Sequence, residues 1–329
     1  MNDRRIYFTQ AIGIAGKIAS ITLRKALIAT SAILLGTSLL KAQSFDLVNG
    51  VTNYGWLDQH SLDNINSNNF IGNEACVPTS SVNAFTYLQN TYGSIFGTNL
   101  SGSSYAEWVN TDQELINLYG TQARTATNGG GTTPQNFVNG IQSYIQSNGF
   151  ASDISISSMY SSQASVTNSF NSNSTITIPF IETALEDNAA LLVSIDYTGT
   201  NGGGHEILVN GLQWNGTDSG TLYFVDPLDP SQQYNGTNVL GPTLQTESES
   251  FTKTNGELLL TYSQLHDNNL TNSPPNPADD TIIAQAYVRG GLSLTVVPEP
   301  STYALLALGA LFLIIALSRR SSPLTPRVE

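Results

Sequence analysis

One cysteine, Cys76, occurs in 329 residues. Without a second thiol an intramolecular disulfide is impossible, and so is a zinc site built on several thiolates. Histidine is nearly as scarce, with His60, His205 and His266 the full set. Charged residues make up 11% of the chain, against about 25% in an average soluble protein. Cations are the scarcest of these. Between residues 44 and 298, Arg124, Lys253 and Arg289 stand against 22 acidic residues, a net charge of −19. A body this acidic, with no basic patch, repels phosphate backbones and excludes nucleic acid as a partner. The acidic runs Glu186-Asp187 and Asp279-Asp280 read as solubility features. No Asp-x-Asp-x-Asp-Gly calcium spacing occurs, and no cofactor-binding pattern is apparent. Hydrophobic residues, at 40%, suffice for a real core and exclude general disorder.

The cations that the body lacks sit at the two ends. Residues 1–25 carry Arg4, Arg5, Lys17, Arg24 and Lys25, and an apolar stretch follows over 26–40. A basic lead followed by 15 apolar residues reads as a secretory signal, residues 1–43, cut near 42–44. At the other end Val297-Pro298-Glu299-Pro300-Ser301 precedes an apolar helix over 303–318 and then Arg319-Arg320. Arginines after an apolar helix hold that end in the cytoplasm, which makes 321–329 a cytoplasmic tail. Pro-Glu-Pro, short helix and Arg-Arg in that order over 298–320 closely resemble the PEP-CTERM sorting signal of Gram-negative bacteria. The resemblance implies export, anchorage in the membrane through the C-terminal helix, and processing by an exosortase.

Helices dominate the first half of the body. Residues 44–75 read as polar and irregular, with a loop over 61–69. After Cys76 an apolar stripe at Val82, Phe85 and Leu88 predicts a helix. Pro78 suits its first turn, and Thr79 and Ser80 carry hydroxyls that can satisfy free N–H groups there. A second helix is expected over Tyr105–Tyr119, with Trp108, Leu115 and Leu118 inward. Pro134 opens a third, with Phe137, Ile141, Tyr144 and Ile145 on one face. A short strand follows at 153–157, then a Ser/Asn linker at 161–175 and a short helix at 180–187. Strands are expected at 191–197, 206–214, 221–225, 257–261 and 281–297. The fold class is thus α+β, a helical lobe at about 44–158 followed by an antiparallel sheet lobe at about 176–297. A cleft between such lobes is a common place for a site.

Cys76 stands at the mouth of the first helix, and a helix N-terminus and a neighbouring imidazolium both favour the reactive thiolate. His205 follows Gly202-Gly203-Gly204 and opens a strand, 129 residues after Cys76. That interval is near the roughly 130–150 residues between cysteine and histidine in papain-like enzymes. Asp226 ends the next strand, before Pro227. An antiparallel return about the turn at 215–220 brings it back toward His205, where a carboxylate can hold the imidazole tautomer. His60 and His266 read as solvated.

Cys76-Val77-Pro78-Thr79-Ser80-Ser81-Val82-Asn83-Ala84-Phe85 resembles the nucleophile helix of papain-like bacterial cysteine peptidases, notably the double-glycine-leader peptidases. His205-Glu206-Ile207-Leu208-Val209-Asn210-Gly211 and Phe224-Val225-Asp226-Pro227 resemble their histidine strand and the strand after it. The likeness covers about 56–227. It implies a papain-like fold, a Cys76–His205–Asp226 triad, an acyl-enzyme and a peptide or protein substrate. It also implies an oxyanion-hole glutamine upstream of the cysteine. Gln59, 17 residues before Cys76, is the candidate, with Asn73 a weaker substitute. The family places Gly after its cysteine, and this chain has Val77. That departure leaves a second expectation open, a peptidase fold without catalysis serving as a surface or matrix protein. A transglutaminase-like amine transfer uses the same triad.

Overall fold

The computed structural model describes residues 44–59, 71, 74–123, 130–198, 203–227, 247–267 and 281–297, together with residues 308, 309, 311 and 312. The expected signal segment, His60, the loop at 61–69 and Asn73 lie outside the described residues, as does all but four residues of the apolar helix at 303–318. Those four are helical, with Leu308, Leu311 and Phe312 exposed. Among the described residues no helix is long and apolar enough to cross a membrane.

Among the described residues of 44–297, five α-helices form where the apolar spacing and capping residues direct. Helix α1 (Cys76–Thr91) buries Val82, Phe85 and Leu88 completely. A four-residue helix α2 (Gly93–Phe96) follows and buries Phe96. Helix α3 (Tyr105–Tyr119) starts at Ser104, whose side chain accepts from the Glu107 N–H, while the Glu107 carboxylate accepts from the Ser103 N–H. Reciprocal capping of this kind supplies partners for N–H groups that a helix start leaves free. Gly120 ends α3 at φ 59°, a left-handed conformation that glycine adopts without strain. Helix α4 (Pro134–Ser147) begins with proline in its first turn behind the Thr133 cap and buries Phe137, Ile141, Tyr144 and Ile145. Helix α5 (Ile178–Glu186) is capped by Thr177. Leu118 corrects the expected inward set: it is exposed, because Val109, Leu115, Ile116 and Tyr119 already form the buried stripe of α3.

The strands are β1 (Phe45–Val48), β2 (Ile154–Tyr160), β3 (Ala190–Tyr197), β4 (Gly204–Trp214), β5 (Ser219–Val225), β6 (Glu247–Thr254), β7 (Glu257–Asp267) and β8 (Thr281–Val296). Their order is β1-β4-β3-β8-β7-β6-β5, and β5 also pairs with β4. The six strands β3, β8, β7, β6, β5 and β4 therefore form a closed antiparallel ring, which leaves none of them with a free edge along that circuit. Strand β2 pairs with the far end of β8, from Ile154↔Val296 to Tyr160↔Gly290. Alternation along β3 and β4 divides the core. Ala190, Leu192 and Leu208 join one apolar cluster with α1, α3 and α4, while Leu191, Val193, Ile207 and Val209 are buried outside that cluster.

Two strands depart from expectation. Strand β1 occupies part of the segment read as irregular. Strand β6 was not expected at all, because seven of its eight residues are polar and Phe251 alone is an apolar anchor. Its hairpin with β7 turns on Asn255 at φ 53° and Gly256 at φ 88°, with Thr254 paired to Glu257. Asn-Gly is the residue pair that a two-residue hairpin turn favours, so the signal was present at the turn and absent from the strand.

Candidate active site

Cys76 is the first residue of α1 and is half-buried against the helical core. No acidic residue lies in the first turn of α1 to offset the positive end of its dipole. The expected hydroxyl capping is corrected here. Among the described residues no side chain caps α1. Thr79 donates instead to a carboxylate oxygen of Asp112 on α3 at 3.2 Å, and Ser80 donates to the Glu206 carbonyl on β4 at 2.9 Å. Both hydroxyls are fully buried, so they tie the helix to its neighbours rather than to its own backbone. Val77 is buried in the helical cluster.

His205 and Asp226 meet as the antiparallel geometry requires. Leu208 pairs with Val225, the last residue of β5, so Asp226 follows beside the start of β4. A register shift between Val209 and Gly211 helps by bending β4 at its middle. His205 Nε2 lies 2.6 Å from Asp226 Oδ1, and both residues are 6% exposed. The Cys76 side chain is the other group that acts on this imidazole, and it too favours the charged ring. Since Asp226 holds Nε2, Nδ1 is the nitrogen left for the sulfur. Burial by itself would lower the ring's pKa. The Asp226 charge and hydrogen bond, with smaller help from Cys76, outweigh burial and hold it well above the usual imidazole range. The Tyr197 ring lies nearly parallel to the imidazole, with centroids 6.4 Å apart.

Gln59, distant in sequence, is local in space. Its N–H donates to the Pro227 carbonyl at 2.9 Å, directly after Asp226. Its side chain is 3% exposed, and Oε1 has no hydrogen-bond partner among the described residues. Cys76, His205, Asp226 and Gln59 are thus linked: the His205 ring is bonded to Asp226 and acted on by Cys76, and Gln59 is bonded to the residue after Asp226. His266 lies on β7, opposite Ile282 of β8.

Residues missed from the sequence surround this group. Glu206, next to His205, is 1% exposed and accepts from the Ser194 hydroxyl at 2.5 Å. Burial pushes its pKa up to about 8 against the opposing effects of Ser194 and His205. Asp112 is fully buried, and burial raises its pKa well above the carboxylate range despite the Thr79 bond. Asn83 is 1% exposed and binds the main chain of Leu57 on both sides, accepting at 2.8 Å and donating at 3.0 Å. Cys76, Ser80 and Asn83 stand at i, i+4 and i+7, so one face of α1 carries all three. That polar spacing inside an otherwise buried helix was the available signal. Among the described residues no group of three or more His, Cys, Asp or Glu side chains could hold a metal ion.

Residues 296–320 match the PEP-CTERM protein-sorting motif. The chain is an exosortase-sorted, exported protein. Its sorting motif begins at Val296, the last residue of β8, and the Val297 N–H still bonds to the Asp153 carbonyl at 2.8 Å. A search of curated proteins finds no match to the chain.

Proposed function

We propose that the exported body is a cysteine peptidase of papain-like fold. The pairing of one buried imidazole with Asp226, together with the influence of Cys76 on the same ring, carries this reading. A half-buried sulfur at a helix N-terminus, beside a ring whose charged form is favoured, stands in the surroundings that suit a nucleophilic cysteine. The thiolate attacks a peptide carbonyl carbon, and an S–C bond forms as the carbonyl electrons move to oxygen. The Cys76 N–H and the Gln59 side-chain amide face that oxyanion. The C–N bond then breaks, and the His205 imidazolium gives its proton to the departing amine. Water attacks the thioester, His205 takes a proton from it, and acid and thiol are released. Asp226 stays ionised throughout and fixes the ring.

A peptidyl chloromethyl ketone incubated with the mature body at neutral pH tests the reading. Mass spectrometry is expected to find the adduct on Cys76, and Cys76→Ala is expected to abolish both labelling and peptide hydrolysis. Absence of labelling on a folded protein sinks the proposal, and so does hydrolysis that survives Cys76→Ala.

A further inference from the structure

The resemblance read from the sequence leaves a gap in the site's construction. Gln59 and Cys76 are 17 residues apart in the chain, so the backbone between them is too long to fix one against the other. Something else has to set that distance. The nucleophile helix does so through its own polar face. Ser80, one turn after Cys76, is bonded to the main chain of Glu206, the neighbour of His205. Asn83, a further turn on, holds Leu57, two residues before Gln59. Its carboxamide accepts from the Leu57 N–H and donates to the Leu57 carbonyl, so it satisfies both main-chain groups of one residue as a neighbouring strand would. The Gly55 N–H also donates to the Asn83 carbonyl at 3.2 Å. Glycine at 55 permits that approach: a Cβ there would stand 2.6 Å from Asn83 Oδ1 and 2.7 Å from its Cα. Gln59 is then closed onto Pro227 from the other side.

We propose that Asn83 is a positioning residue for the oxyanion side of the site, fixing Gln59 against Cys76 through the Leu57 main chain, while Ser80 separately fixes the His205 strand. The inference rests on the peptidase reading for its kinetics but not for its geometry. Asn83 touches no reacting atom, and its effect passes through Gln59. Loss of its clamp therefore weakens the step that develops an oxyanion and spares the thiolate–imidazolium pair. Alkylation of Cys76 by iodoacetamide develops no oxyanion, so it separates the two.

The experiment compares wild type, Asn83→Asp, Gly55→Ala, Gln59→Ala and the Asn83→Asp/Gln59→Ala double variant. Asn83→Asp keeps the shape and sets an oxygen against the Leu57 carbonyl; Gly55→Ala sets a methyl group against Asn83 Oδ1 and Cα, so either can report if the other fails to fold. Each is expected to lower kcat for peptide hydrolysis roughly 10–100-fold with KM little changed, and to leave the alkylation rate within about twofold of wild type. The double variant is expected to be no slower than Gln59→Ala alone, since both act through one amide. Amide hydrogen exchange is expected to speed up at Leu57 and Gln59 and to stay slow at the β4 amides. Multiplicative loss in the double variant, or a fall in alkylation matching the fall in hydrolysis, overturns the proposal. If wild type alkylates but hydrolyses nothing, the peptidase reading fails on its own. Exchange then decides the positioning claim, and unchanged protection at Leu57 and Gln59 refutes it.

Discussion

His205 and Glu206 are consecutive on one strand and almost equally buried, yet they end in opposite states. His205 faces a carboxylate at 2.6 Å, and its charged form is favoured despite burial. Glu206 faces the Ser194 hydroxyl, which also contacts Tyr160, and its charged form is suppressed. Alternation along β4 sends the two side chains to opposite faces, so each meets a different set of neighbours. Burial is common to both, which leaves the partner as the deciding factor. A buried group keeps its charge where an opposite charge is bonded to it directly, and gives it up where a hydroxyl bond and a more distant charge do not offset burial.

Removing the partner of His205 tests that contrast most severely. Asp226→Asn is expected to drop the ring's pKa sharply, as followed by NMR titration of the imidazole, and to lower peptide hydrolysis by about 10²–10⁴-fold. A ring that titrates unchanged in the variant would show that burial, not Asp226, governs it.

Glu206 gives the next largest effect, and its sign is fixed by linkage. Its proton is held in the folded state up to about pH 8, whereas the unfolded chain releases it near 4.5. Stability from this residue is therefore complete below pH 4.5 and declines as pH rises to about 8. Glu206→Gln is expected to flatten that slope and to gain roughly 2–4 kcal/mol over wild type at pH 9, read from urea denaturation at several pH values. Equal slopes in the two proteins would break the comparison. The smallest change is Ser194→Ala, which removes the hydroxyl that helps the Glu206 carboxylate. It is expected to cost about 1–2 kcal/mol near neutral pH and to move the Glu206 transition to higher pH. A shift to lower pH would reverse the role assigned to Ser194.

Long-range order of Cys76, His205 and Asp226 was readable because each sits where a helix begins or a strand begins or ends, and local signals mark those places. Helices α1, α3 and α4 were readable from their apolar spacing, with Pro78 and Pro134 marking the starts of α1 and α4. Polar strands were not: β6 shows no hydrophobic alternation beyond Phe251, and its place in the ring depends on partners far along the chain. Strand β1 is four residues long, the shortest length at which alternation is informative, and its sequence Phe45-Asp46-Leu47-Val48 does not alternate strictly. Gln59 was visible as a residue type at an odd spacing, and what brings it home, the Asn83 clamp and the Pro227 carbonyl, leaves no trace in local pattern. Asn83 lies inside the segment that resembles a peptidase helix, but its role left no sequence signal, since a buried polar side chain differs from a surface one only by context.

Strand β8 pairs with β7, β3 and β2, and the sorting motif starts at its final residue. Nothing in the body follows it, so during passage across the membrane the seam of the ring is the last piece to emerge. Helices and hairpins upstream can assemble early, but the circuit closes only when the membrane-directed tail is already at hand. The circuit of the ring therefore depends on the strand that leads directly into the sorting motif.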